Sequence, residues 1–182
     1  MSLRKRLAPL AVSMLFAAPA FAQSPYCSSP NLAIPDNNPT GVTDNQNVAA
    51  TQLITDLNVE VIGTHTWVGD LIFTVTHGAT SVIIIERPGV PATAFGCSGD
   101  NFSVTLDDEA GTPVENMCLV PAPALAGSAT PNNPLSAFDG QSVAGSWTIT
   151  VSDNSGGDNG TLVTWCLQTT PLPVELMGFS VE

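Results

Sequence analysis

The chain of 182 residues carries 16 Asp and Glu against four Lys and Arg, a formal net charge of −12. A field this negative repels phosphodiester backbones and anionic lipid, which excludes nucleic-acid binding and favours solubility and divalent cations. With 43% hydrophobic residues there is enough apolar material for one domain with a buried core, and the chain is short for two.

Residues 1–22 read as a secretory signal peptide. Arg4, Lys5 and Arg6 form a positive n-region, Leu7 to Phe16 a short apolar core, and Ala20-Phe21-Ala22 supply small residues at −3 and −1 of a cleavage site. The apolar run is too short to span a bilayer, and nothing later in the chain approaches that length. The expected product is exported, whether secreted, periplasmic or held at the cell surface. Cleavage after Ala22 leaves 160 residues in which Arg87 is the sole Lys or Arg against 16 acids, formally −15.

Residues 23–43 form a lead-in segment, polar and loop-like as far as Asn47, with room for an edge strand. From Asp44 to Gln168, the range of the single domain 44–168, period-2 alternation dominates. Leu57, Val59 and Val61 share one face, as do Leu71, Phe73 and Val75, then Phe102, Val104 and Leu106, then Trp147, Ile149 and Val151. Val82 to Ile85 is a continuous apolar run suited to a strand covered on both sides. Pro and Gly punctuate these runs, and no window carries a helical stripe. The pattern predicts an all-β fold, a sandwich of two sheets and about eight strands. Leu119 to Pro134 is a Pro/Ala-rich connection, and residues 169–182 are a linker and truncated C-terminal tail.

Four cysteines, Cys27, Cys97, Cys118 and Cys166, are an even count in an exported chain and predict two disulfides. Three pairings are possible. The expected one is Cys97–Cys118, closing a local excursion, with Cys27–Cys166 tying the two ends. Zinc is disfavoured, because there is no CxxC and there are only two histidines.

Catalytic parts are scarce. His65 and His77 are the only histidine bases available to a serine nucleophile, and “GQSVA” around Ser142 misses the G-x-S-x-G elbow at its last position. His65 is read instead as bracing a turn. The acids offer more: Asp107, Asp108 and Glu109 are adjacent, Asp153 and Asp158 flank a Gly-rich turn, and Asp139 lies between the two groups. These six are the candidate Ca²⁺ ligands, with Asp36, Asp44 and Asp70 as further acids, since hard cations take carboxylate and carbonyl oxygen. None of the spacings is that of an EF-hand. Trp147 and Trp165 fall in register with apolar neighbours and are expected in the core, leaving Trp67 and Tyr26 outside such a pattern. Asn101-Phe-Ser103 and Asn159-Gly-Thr161 are sequons.

“HTWVGDL” (His65 to Leu71), “ERPG” (Glu86 to Gly89), “LDDEA” (Leu106 to Ala110) and “GSWTITVSD” followed by “DNGTLVTWCL” stand in a telling order and spacing. Together they resemble the P domain, or Homo B domain, of subtilisin-like proprotein convertases and bacterial serine peptidases, over roughly Asp44 to Gln168. The resemblance implies a jelly-roll-type β-sandwich that helps a neighbouring peptidase domain fold and influences its pH and calcium dependence; some bacterial copies bind calcium. It marks His65, Trp67, Gly69, Asp70, Trp147, Gly160 and Trp165 as structural motif residues. Gly69 would allow a tight entry into a core strand, Asp70 would cap that turn's amides, Gly160 would make a corner and Trp165 would fill the core.

Two departures stand out. The stretch “THGATS” lacks the Ser-Pro often found there in the family, and the signal peptide leads almost directly into the module with no peptidase domain between. The tail “LPVELMGFSVE” is similar to segments that lead into C-terminal sorting modules. The expected role is therefore a non-catalytic stand-alone accessory or binding module, its partner a subtilisin-like peptidase or another extracellular protein. The alternative is a cell-surface adhesion or glycan-binding sandwich, in which Trp67 would be exposed.

Overall fold

The computed structural model describes residues 24–169. The signal peptide and all but the first residue of the C-terminal tail lie outside them. Ten strands form two sheets packed as a sandwich. The first sheet holds β1 (Ser24–Ser28), β2 (Leu32–Ile34), β4 (Leu57–His65), β7 (Phe102–Leu106), β8 (Leu125–Ala129) and β10 (Gly160–Thr169). Its order is β1-β10-β4-β7-β8, with β2 also on β10. The second holds β3 (Asn38–Val48), β5 (Leu71–His77), β6 (Thr80–Glu86) and β9 (Gly145–Asp153) in the order β3-β9-β5-β6. All pairings are antiparallel except β7 with β8.

The alternation read in the sequence becomes the core. Leu71, Phe73 and Val75 of β5 and Trp147, Ile149 and Val151 of β9 are fully buried, facing Val59, Val61, Val104, Trp165 and Leu167 of the first sheet. Phe73 meets Phe102 edge-on at 5.1 Å and 77°, a contact that joins the two layers. Each buried indole N–H has a partner: Trp147 Nε1 donates to the Val143 carbonyl at 2.9 Å and Trp165 Nε1 to Asp44 Oδ2 at 2.7 Å.

The lead-in differs from expectation, for it contributes three strands. β1 and β2 lie along one edge of β10, with Cys27 opposite Cys166 and Ala33 opposite Thr161, and β3 forms an edge of the second sheet beside β9. In β3 the half-buried positions beside buried Val48 include Asp44 and Gln46, so an inward row exists without being apolar. The connection Leu119 to Pro134 likewise holds β8, a short parallel partner of β7. Disulfides join Cys27 to Cys166 and Cys97 to Cys118. Among the described residues no helix is long and apolar enough to cross a membrane.

Candidate functional site

One end of the sandwich gathers most of the motif residues. β4 ends at His65, a 3-10 turn (Val68–Asp70) leads into β5, and β9 ends at Asp153. The turn has no room for a side chain at Gly69, where a Cβ would overlap the Cys97 amide nitrogen and crowd Gly96. The backbones are that close because Gly69 N–H donates to the Cys97 carbonyl at 2.9 Å and Cys97 N–H to the Pro88 carbonyl at 2.7 Å. Gly160 is constrained in the same way, since a Cβ there would overlap the Thr64 carbonyl. The glycines of “GDL” and “DNGT” are thus demanded by backbone packing.

Four charged or titratable groups sit behind this turn. His65 and Asp153 are both fully buried, with Nε2 3.2 Å from Oδ2. The other imidazole nitrogen, Nδ1, lies 2.8 Å from the Trp67 carbonyl and 3.2 Å from its amide, so His65 braces the turn. Asp153 also accepts the Ser155 N–H at 3.0 Å. Asp70 was expected to cap the turn, but the turn has no side-chain cap. Its Oδ1 faces Arg87 Nη2 at 3.5 Å instead, while Arg87 Nε donates to the Gly69 carbonyl at 3.2 Å. Arg87 holds φ at 53°, uncommon for a residue with a side chain. Burial raises the Asp70 carboxyl above its usual range, Asp153 raises it further, and Arg87 works against both.

In front of these groups opens a cleft of about 250 Å³ lined by Trp67, Asp70, Phe95, Ser155, Gly156 and Asp158. Trp67 is half-buried, and its Nε1–H donates to the Phe95 carbonyl at 2.7 Å. Phe95 stands 69% exposed on a loop closed by Thr93 Oγ1 donating to the Gly96 carbonyl and pinned by Cys97–Cys118. Asp158 Oδ1 accepts the Thr66 hydroxyl at 2.8 Å. Phe95, Ser155 and Arg87 are members of the site that sequence reasoning missed. The available signal for Phe95 was a lone aromatic between Pro-rich sequence and a cysteine.

The six proposed calcium ligands do not converge. Asp153 and Asp158 belong to the end just described. Asp108, Glu109 and Asp139 line a separate small cleft with Asp56, and Asp107 stands beside it. Asp108 spends both oxygens on the Leu135 and Ser136 amides, each at 2.8 Å, capping the 3-10 turn Leu135–Phe138. Asp107 accepts the Glu109 amide at 2.9 Å. Burial, then Asp108 and Asp56, raise the Asp139 carboxyl. Among the described residues no three His, Cys, Asp or Glu are arranged to hold a metal ion, so the acids present do not fit calcium as one ligand set. Asp36 accepts the Gly157 amide, in the turn that flanks the cleft, and Asp44 accepts the Trp165 indole.

The histidines are structural in their surroundings. His77 stacks on Trp147 at 4.1 Å and 4°, with Nδ1 3.0 Å from the Ser146 carbonyl and Nε2 2.9 Å from that of Ser142. The Ser142 hydroxyl accepts the Ala144 amide instead of meeting the ring. Neither imidazole therefore has the free nitrogen and hydroxyl partner that a serine nucleophile needs. The sequon residue Asn101 accepts the His65 amide at 3.2 Å.

Residues 122–169 match the sequence model of the proprotein convertase P-domain family, as the motif resemblance implies for that part of the chain. No curated protein matches. Among solved structures, the chain is similar to the Aeromonas sobria serine protease in complex with a chaperone, at 15% identity and a TM-score of 0.50. That alignment covers 84% of this chain and 27% of the protease. The serine protease of Aeromonas sobria in a second crystal structure aligns at 14% identity and a TM-score of 0.48, covering 85% and 28%. This chain thus spans a little over a quarter of the length of either protease structure.

Proposed function

We propose that this chain is a non-catalytic accessory module of P-domain type, exported to an oxidising compartment, that binds and stabilises a subtilisin-like serine peptidase. The observation that carries this reading is the P-domain match over residues 122–169 on a two-sheet sandwich. Two supports stand beside it. Both imidazoles are built into turn and core contacts, and among the described residues neither is paired with a serine hydroxyl. Both disulfides, with all four described cysteines consumed, suit an extracellular or periplasmic setting.

The test is refolding of a subtilisin-like catalytic domain from the same source with and without this chain. Recovered activity and melting temperature should both rise in its presence. The chain alone should not cleave casein; turnover that a serine-directed inhibitor abolishes would reverse the reading, as would refolding indifferent to its addition.

A further inference from the structure

We infer that the cleft between Trp67 and Phe95 receives a basic side chain, arginine foremost, from a partner polypeptide. The inference deepens the proposed function, resting on its claim that the module meets another protein, and it names the chemistry of the contact.

The floor of the cleft is acidic and short of cations. Asp70 and Asp158 line it, with Asp153 behind. Arg87 is the only Lys or Arg within residues 24–169, against fourteen Asp and Glu, since Glu175 and Glu182 lie beyond. That one guanidinium is already committed: its Nε bonds the Gly69 carbonyl, and its Nη2 reaches Asp70 at 3.5 Å, longer than a good charge-assisted bond. The side chain of Asp70 is only 5% exposed, so water compensates it poorly, and burial together with Asp153 and Asp158 raises its carboxyl. A second positive charge in the cleft would relieve that deficit, and among the described residues no Lys or Arg besides Arg87 exists to supply it.

The walls specify an organic cation. Trp67 is fixed by its bond to the Phe95 carbonyl, and Phe95 is held outward by a closed turn and a disulfide at Cys97. A large apolar ring that is 69% exposed yet anchored on both sides is a pre-formed contact surface. Aromatic faces attract guanidinium and ammonium groups, and a planar guanidinium stacks on a ring while its fork addresses carboxylates. A cleft of about 250 Å³ accommodates the end of such a side chain. A bare divalent ion has no use for the rings, and the described residues present no three-ligand set for it.

The experiment uses the purified full-length chain and tryptophan emission. Trp147 and Trp165 are fully buried, so a ligand-dependent change reports on Trp67, as its loss in Trp67→Phe would verify. The probe is a blocked Gly-Arg-Gly peptide, set against the same peptide with uncharged citrulline. The arginine peptide should give a saturable change, with citrulline at least about tenfold weaker and affinity falling as salt is raised. Asp158→Asn should weaken binding about tenfold, and Phe95→Ala should weaken it in a chain of unchanged melting temperature. Equal responses to the two peptides, no response to either, or an Asp158→Asn variant that binds like wild type would overturn the inference. So would a change produced by Ca²⁺ alone or by neutral oligosaccharides. No peptidase enters this assay, so its failure leaves the refolding result standing, and the converse holds.

Discussion

His65 closes β4 and Asp153 closes β9, and their side chains meet between the two sheets with Nε2 3.2 Å from Oδ2 and neither exposed. Removing either partner of such a buried pair leaves the other without compensation, which typically costs about 3–5 kcal/mol. Asp153→Ala should therefore lower unfolding free energy by about 3 kcal/mol or more, measured by urea titration. The His65→Ala/Asp153→Ala double variant should fall short of the summed losses. Because Asp153 serves His65 and the Ser155 amide, the loss should be the same in calcium and in chelator.

Backbone crowding predicts a sharp split among glycines. Gly160→Ala and Gly69→Ala force a methyl into the Thr64 carbonyl and the Cys97 amide, neither of which is a flexible side-chain end. Each should cost about 3 kcal/mol or abolish folding. Gly111→Ala, whose Cβ meets nothing within 4 Å, should stay within about 0.5 kcal/mol of wild type. Thermal melts of the three variants check the ranking.

Glu115 gives a pH dependence. Its carboxyl is pushed up to about 7 from the usual 4.5, first by burial and then by the neighbouring Glu86 carboxylate, while the Glu86 amide it accepts at 2.7 Å opposes the shift. The folded chain therefore holds this proton more tightly than the unfolded chain does. Stability from the group is complete below pH 4.5 and is lost as pH rises through about 7. Glu115→Gln should flatten that part of the stability profile between pH 4.5 and 7. Denaturant midpoints across that range measure it, and parallel profiles would reject it.

The disulfides should differ in worth. Cys27–Cys166 spans 139 positions and Cys97–Cys118 spans 21. Chain-entropy arithmetic gives upper figures of about 5 and about 3 kcal/mol. Paired Cys→Ser variants should lose stability in that order, while only the second should loosen the Phe95 loop.

Strands announce themselves in this sequence where the inward row is apolar, as in β5 and β9. β3 stayed hidden because its inner positions include Asp44 and Gln46, and Asp44 is there to accept the Trp165 indole from 121 positions away. β8 was masked by surrounding prolines and by Gly127, its pairing with β7 being a matter of tertiary placement. At the site, Trp67, Gly69 and Asp70 were visible as a motif. Asp153 looked like one more turn acid, since nothing local reveals that a histidine 88 positions earlier buries it. The sequence shows two acidic groups but not their duties, which the fold divides between backbone amides for Asp108 and an imidazole for Asp153.

Among the described residues β10 is the last strand in chain order, yet β1, β2 and β4 all register against it. A nascent chain must therefore carry β1 and β2 without their sheet partner until β10 has been made. Cys97 can find Cys118 along the way, but Cys27 waits as a free thiol for a residue synthesised 139 positions later. Any oxidase acting on a half-threaded chain meets the wrong neighbours first, so native pairing of Cys27 waits on closure of the first sheet by β10.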